Sequence, residues 1–243
     1  MIKYLFFDVY QTLLDVSIHE QHAWDIFEHY LLNKNVPNKE AKKIQKLYEI
    51  KEAEFYSNHN KILEHHDWID NLTSIFAHYY KIDFTQEELK SIIWDYRRKS
   101  NVHIALYPQV KEVLEELSSK YILATASLAH ASITILELEY TGIAQYFKHL
   151  YFSSQIGYRK TSPKFYESIL NLSGAVAKES VMIGDNFEFD IKGGKDAGMF
   201  SIWIKNPLTV SDQNKDIADE ILQIEQLEKL PRVIEKMNQN LSI

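Results

Sequence analysis

Hydrophobic positions follow two rhythms along this chain, and the change falls near residue 100. The first apolar run, Tyr4-Leu5-Phe6-Phe7, is short and unbroken and ends on the carboxylate of Asp8. A run of that length flanked by aromatics predicts a buried strand. After it the spacing turns helical. Ser17-Ile18-His19-Glu20 has the form of a capping box and opens a predicted helix through His22, Trp24, Phe27, Tyr30 and Leu31. Asn33 to Asn38, with Pro37, reads as a break. Asn38 is expected to cap a long helix from Lys39 to about Ser57, with Ile44, Leu47, Tyr48 and Phe55 on one face. A third helix is expected from Asp67 to Tyr80 through Ile69, Leu72, Ile75 and Phe76. Thr85-Gln86-Glu87-Glu88 is a second capping box, leading into Leu89, Ile92, Ile93 and Tyr96. No strand is predicted between Ser17 and Lys99.

Beyond that point strands and helices alternate. Pro108 to Lys120 is predicted helical, with Val110, Val113, Leu114 and Leu117 on its apolar face. Tyr121 to Ala126 is a predicted strand, Ala131 to Tyr140 a helix and Leu150 to Phe152 a short strand. Ser162 to Leu172 is a helix with Pro163 in its first turn. Val181-Met182-Ile183 is a buried strand, Asp190 to Asp196 a helix stopped by Gly198, and Phe200 to Ile204 a strand. Helical pattern returns at the end, interrupted at Pro231. Such alternation implies an α/β fold with a parallel sheet covered on both faces. The expected division is a core made of residues 1–14 and 104–243, with residues 15–103 inserted as a separate all-helical lobe.

Composition changes this picture little. The chain has 243 residues, a net charge of -7 and no basic tract, so nucleic acid is not an expected partner. It has no cysteine, which removes disulfides, thiolate metal sites and thiol nucleophiles. No apolar run reaches membrane-spanning length, and a cytoplasmic location is expected. All seven glycines lie at or after Gly142, in keeping with long helices in the front half.

Four stretches carry candidate chemistry. Asp8, at a strand end, can ligate a metal or attack an electrophile, and Thr12 follows four residues later. Leu123-Ala124-Thr125-Ala126-Ser127 ends a strand on hydroxyls and amides suited to an anionic oxygen. Gly157-Tyr158-Arg159-Lys160-Thr161-Ser162-Pro163 places Lys160, a compact point charge, before a helix. Gly184-Asp185 follows a buried strand, with Asp190 five residues on. Oxygen-only ligands of this kind suit Mg2+.

In this order the four stretches resemble the haloacid-dehalogenase-like hydrolase superfamily, over the whole chain. The resemblance implies a three-layer Rossmann-like core with a helical cap inserted after the first motif. It implies that Asp8 is the nucleophile and a Mg2+ ligand, with the main-chain carbonyl of Tyr10 and the carboxylate of Asp185 completing the protein's ligands. Asp190 would support the metal or orient Lys160. Thr125, Ala126 and Lys160 would hold the phosphoryl group of a small substrate.

One departure matters. Phosphatases of this superfamily usually carry an aspartate two residues after the nucleophile, as proton donor. Here that residue is Tyr10, whose ordinary pKa of ~10 makes it a poor base, and Gln11 replaces the usual glycine. A tyrosine at this place is also seen in 2-haloacid dehalogenases, which use no metal. Against that reading stand Asp185, the absence of any arginine before Arg97, and Ala126 where those enzymes carry asparagine. The expected function is a Mg2+-dependent phosphatase. The alternatives are a dehalogenase and a weakly active binding protein that keeps the fold. Tyr10 itself reads either as an acid or as a packing residue, and Asp190 either as a site residue or as a helix cap. Glu64-His65-His66-Asp67 is expected to be a solvated segment rather than a metal site. Trp24, Tyr30 and Trp94 are expected in the core of the helical lobe, and Arg97-Arg98-Lys99 as a solvated run.

Overall fold

The computed structural model describes residues 1–16, 23–101, 103–209 and 217–241. Strand β1 (Tyr4–Phe7) leads through a tight turn to β2 (Leu14–Val16). The first predicted capping box, Ser17 to Glu20, and His22 fall outside the described residues. Helices α1 (Asp25–Asn33), α2 (Asn38–Ala41), α3 (Ile44–Asn58), α4 (Trp68–Ile75) and α5 (Gln86–Ser100) follow. The chain then returns through β3 (Ile104–Leu106), α6 (Val110–Ser118), β4 (Ile122–Ser127), α7 (Ala131–Tyr140), β5 (His149–Phe152) and α8 (Ser153–Ile156). It ends with α9 (Pro163–Ser173), β6 (Ser180–Gly184), α10 (Gly193–Asp196), β7 (Phe200–Lys205), β8 (Glu220–Gln223) and α11 (Leu230–Asn240).

Six described strands form one parallel sheet in the order β5-β4-β1-β6-β7-β8. This is the α/β architecture with a parallel sheet that the alternating pattern implied, and the Rossmann-like core that the resemblance implied. β1 lies at the centre with both faces covered, which is why Leu5, Phe6 and Phe7 are all buried without alternation. The two apolar faces form separate clusters. One gathers Leu5, Phe7, Leu123, Val181 and Ile202. The other gathers Phe6, Ala124, Ala126, Phe165 and Met182.

Local signals fared well where they were self-contained. Thr85 and Glu88 form the reciprocal capping box of α5, and Asp67 caps α4 by accepting from Ile69 N. Several expectations need correction. Asn38 is the first residue of α2, not a side-chain cap, and the expected long helix breaks between Ala41 and Ile44. The helix begun at Trp68 widens into a π-helical turn at Phe76–Tyr80. Pro231 lies in the first turn of α11 instead of interrupting it, because the first turn has no need of its missing N–H. β8 was not foreseen, since Glu-Ile-Leu-Gln is short and half polar. Nor was the antiparallel pairing of β2 with β3, which ties the way into the helical insertion to the way out.

The insertion has its own core of Phe27, Leu31, Ile44, Leu72, Phe76 and Ile93, against which Ile133 and Leu136 of α7 also pack. Trp24 packs into this aromatic group against Phe27, Tyr48 and Tyr96, as expected, whereas Trp94 packs at a tilt against Tyr140 at the end of α7. Polar docking accompanies the apolar contact. The Asp67 carboxylate accepts from Ser132 N at 3.0 Å, Ser132 Oγ at 2.5 Å and Ser154 Oγ at 2.8 Å. In return Trp68 N donates to His130 Nδ1 at 3.3 Å. The N-termini of α4 and α7 thus cap one another. Burial opposes the charge of Asp67, but the bonds from Ser132 and Ser154 outweigh it and hold the carboxyl below its usual range. His65 is not solvated as expected. It is buried, with Nδ1 2.6 Å from Ser153 Oγ, and burial pushes its pKa down to about 3. His65 N also donates to Gly157 O, and Arg159 N to Leu63 O. These contacts seat the insertion on loops that follow β4 and β5, at the carboxyl edge of the sheet.

Candidate active site

Three carboxylates converge at that edge. β1 delivers Asp8, whose N–H donates to Ile183 O at 2.8 Å. β6 runs out into Gly184 and Asp185. Asp190 comes from a π-helical turn, Phe187–Lys192, capped by the Asn186 side chain. Of the two readings open for Asp190, the cap falls away: Asn186 is the capping residue, and Asp190 is buried beside Lys160. Ligand oxygens of Asp8, Asp185 and Asp190 all lie within 4.8 Å of one another, and all three residues are buried.

Each is held by a distinct support. Thr12 Oγ1 donates to Asp185 Oδ1 at 3.1 Å, and Trp203 Nε1 to Asp185 O at 2.9 Å. Asn186 N donates to Asp190 Oδ2 at 3.0 Å. Lys160 Nζ lies 2.5 Å from both Asp8 Oδ1 and Asp190 Oδ1. The glycine of Gly184-Asp185 has a steric reason: a Cβ there would stand 2.2 Å from Asp190 Oδ2.

The electrostatics follow from crowding. Burial, with Asp8 adding repulsion, pushes Asp185 up to about 6. Burial pushes Asp190 up to about 8, with Lys160 opposing and Asp8 adding. Burial also opposes the charge on Lys160, but Asp190 and Asp8 outweigh it and hold the ammonium above its ordinary value. Among the described residues, three carboxylates thus face one ammonium. A donor set made only of oxygens with surplus negative charge fits a hard divalent cation such as Mg2+.

The other expected residues are placed differently. Thr125 is fully buried, and its hydroxyl is engaged by the Tyr151 main chain, accepting from N at 2.8 Å and donating to O at 3.3 Å. Ala126 is buried beside Phe6. Tyr10 turns away from the carboxylates. Its hydroxyl donates to Glu137 Oε2 at 2.5 Å and lies 2.9 Å from Thr134 Oγ1. Burial, reinforced by Glu137, pushes the phenol well above its ordinary range, so it is a poor proton donor. Arg97, expected in a solvated run, pairs through Nε with Glu137 Oε1 at 2.5 Å. Sequence reasoning missed Glu137. The available signal was its position on the buried face of α7 with Ala131, Thr134 and Leu138.

Comparison with known proteins identifies the family and the fold. Residues 5–204 match the family model of haloacid dehalogenase-like hydrolases. The glyceraldehyde 3-phosphate phosphatase of Methanothermobacter thermautotrophicus is 26% identical over 244 residues, spanning 93% of this chain and 100% of that protein. A 2-haloacid dehalogenase from Pseudomonas syringae superposes with a TM-score of 0.66 at 21% identity, over 98% of this chain and 100% of that one. A HAD phosphatase from Thermococcus onnurineus gives 0.56 at 20% identity, over 96% and 98%. At such identities the two structures speak for the fold alone.

Proposed function

The chain belongs to the haloacid dehalogenase-like hydrolases, and on that footing we propose that it is a Mg2+-dependent phosphatase of small phosphorylated metabolites. The observation that carries this reading is the oxygen-only cluster of Asp8, Asp185 and Asp190 beside the Lys160 ammonium. A metal-free dehalogenase has no use for Asp185 in that place. The name of the Methanothermobacter relative supports the same reaction class.

Asp8 attacks phosphorus with one carboxylate oxygen. The bond from phosphorus to the leaving oxygen breaks, and that oxygen keeps the electron pair. The leaving oxygen takes a proton from solvent; water then attacks the aspartyl-phosphate, the Asp8 carboxylate leaves, and the proton that the water loses returns to solvent. Asp8, Asp185 and the Tyr10 carbonyl would hold Mg2+, with Asp190 in support. The metal, when bound, offsets the repulsion between a carboxylate nucleophile and a phosphoryl group. Lys160 adds the second positive charge and keeps Asp8 aimed. Thr125 joins by exchanging its bond to Tyr151 for one to a phosphoryl oxygen, and Ala126 by its main-chain amide. Residues 15–103 act as the cap that excludes water from the strand ends.

The test is a panel of phosphate esters, acyl phosphates and 2-haloacids, each with Mg2+ and with chelator. Phosphate release that needs Mg2+ is expected. Halide release that survives the chelator would replace this reading with the dehalogenase one.

A further inference from the structure

The two residues by which the nucleophile loop departs from the phosphatase pattern both make long-range ties. Tyr10 sits two residues after Asp8, in a turn closed by Leu13 N and Leu14 N on Val9 O, each at 2.9 Å. From there its hydroxyl reaches Glu137 and Thr134, which lie on one face of α7 three residues apart. Glu137 is fully buried, and its second oxygen takes Arg97 Nε, from the last turn of α5 in the helical insertion. Ile133 and Leu136 press the same helix into the insertion's core. Gln11, next in sequence, holds a left-handed backbone at φ 61, a conformation that favours glycine. Its side chain donates to Val16 O at 3.0 Å and accepts from Tyr107 Oη at 2.6 Å. Val16 and Tyr107 border the β2–β3 pair through which the insertion is connected.

We propose that Tyr10 is a positioning residue that couples docking of the helical insertion, through Glu137 and Arg97, to the loop carrying Asp8. The physical basis is that Glu137 is a buried carboxylate whose two oxygens face two different bodies. When the insertion lifts, Arg97 withdraws and Glu137 keeps only the phenol. A buried charge that loses its cation is strongly destabilised. Tyr10 and Arg97 therefore favour each other's engagement, and Asp8 is held in register when the insertion is seated. The tyrosine at position 10 thus gives up proton donation and makes a mechanical link.

The kinetic part of the test rests on the phosphatase reading; the exchange part does not. In hydrogen–deuterium exchange of the full chain, Tyr10→Phe and Glu137→Gln are expected to raise amide exchange across Gln86–Ser100, although Tyr10 is remote in sequence. Arg97→Met should raise exchange in the Val9–Leu13 turn. A residue that merely packs would disturb its own turn and leave α5 unchanged. In kinetics, Tyr10→Phe and Arg97→Met should each lower kcat/KM by about tenfold, and the double variant by about the same factor, because the two act through one carboxylate. Unchanged α5 exchange in Tyr10→Phe would overturn the coupling, as would strictly multiplicative losses. Absence of phosphate release by the wild type would count against the phosphatase reading alone, and exchange would then decide the coupling.

Discussion

The crowding of Asp8, Asp185 and Asp190 has a measurable thermodynamic consequence, which Mg2+ should reverse. An acid whose folded pKa is raised keeps its proton in the native state at pH values where the unfolded chain has lost it. Stability then falls as pH rises from the ordinary carboxylate value to the folded one. For Asp185 that span ends at about 6 and for Asp190 at about 8. Buried histidines act with the opposite sign. His65 and His130 are held neutral, mainly by burial, where unfolded imidazoles are protonated, so they add stability as pH rises toward ~6.5. The two effects oppose each other below that value. Between ~6.5 and ~8 the cluster acts alone, chiefly through Asp190. Each extra proton held by the native state sets a slope of at most ~1.4 kcal/mol per pH unit, so the metal-free protein should lose stability across this window, on the order of 1–2 kcal/mol. Mg2+ requires ionised ligands and should cancel the decline. A hundredfold excess over its Kd adds ~2.7 kcal/mol, or roughly 5–10 °C in Tm for a chain of this size. The assay is thermal or urea unfolding at pH 6.5, 7.2 and 8, with chelator and with saturating Mg2+, on wild type and Asp190→Asn. Two results would refute the reasoning: stability that rises with pH across this window in chelator, or a Tm that does not respond to Mg2+.

Further outcomes follow from single contacts. Asp8→Asn should abolish turnover and leave the fold intact; near-wild-type activity in a clean preparation would show that another group attacks. Gly184→Ala should cost ~3 kcal/mol or more in urea unfolding and remove Mg2+ heat in calorimetry, because its Cβ displaces Asp190; a wild-type midpoint would contradict the packing. Asp67→Ala should cost roughly 2–4 kcal/mol, since α4 loses its cap and Ser132 and Ser154 lose their acceptor; a loss under ~1 kcal/mol would mean that the mutual capping of α4 and α7 is slack. With Tyr10 committed to Glu137, rates should climb steeply as the leaving group becomes more acidic, and acyl or nitrophenyl phosphates should outrun alkyl esters; a flat dependence would show that another residue supplies the proton.

The sequence by itself determined what depends on neighbours along the chain. Short, mostly apolar runs marked β1, β4, β6 and β7, because an inner parallel strand is buried on both faces. The Thr85 capping box and the first-turn Pro163 were legible because their partners lie within one helical turn. The carboxylates were legible as strand-end residues at Asp8 and Asp185, and Gly184 stood beside them for a reason that distance then supplied. Only the tertiary structure decided what each side chain faces. Tyr10 and Glu137 are 127 positions apart, and nothing local distinguishes a phenol aimed at substrate from one bonded to a buried carboxylate. Thr125 is turned toward Tyr151, 26 positions away, and Lys160 toward Asp8, 152 positions away, by strand order and loop path. His65 and Arg97 looked solvated because polar residues on a helical lobe usually are. His65 is buried and Arg97 half-buried because the lobe docks on α7 and on the segment after β5, and docking is a property of two surfaces that no single stretch contains.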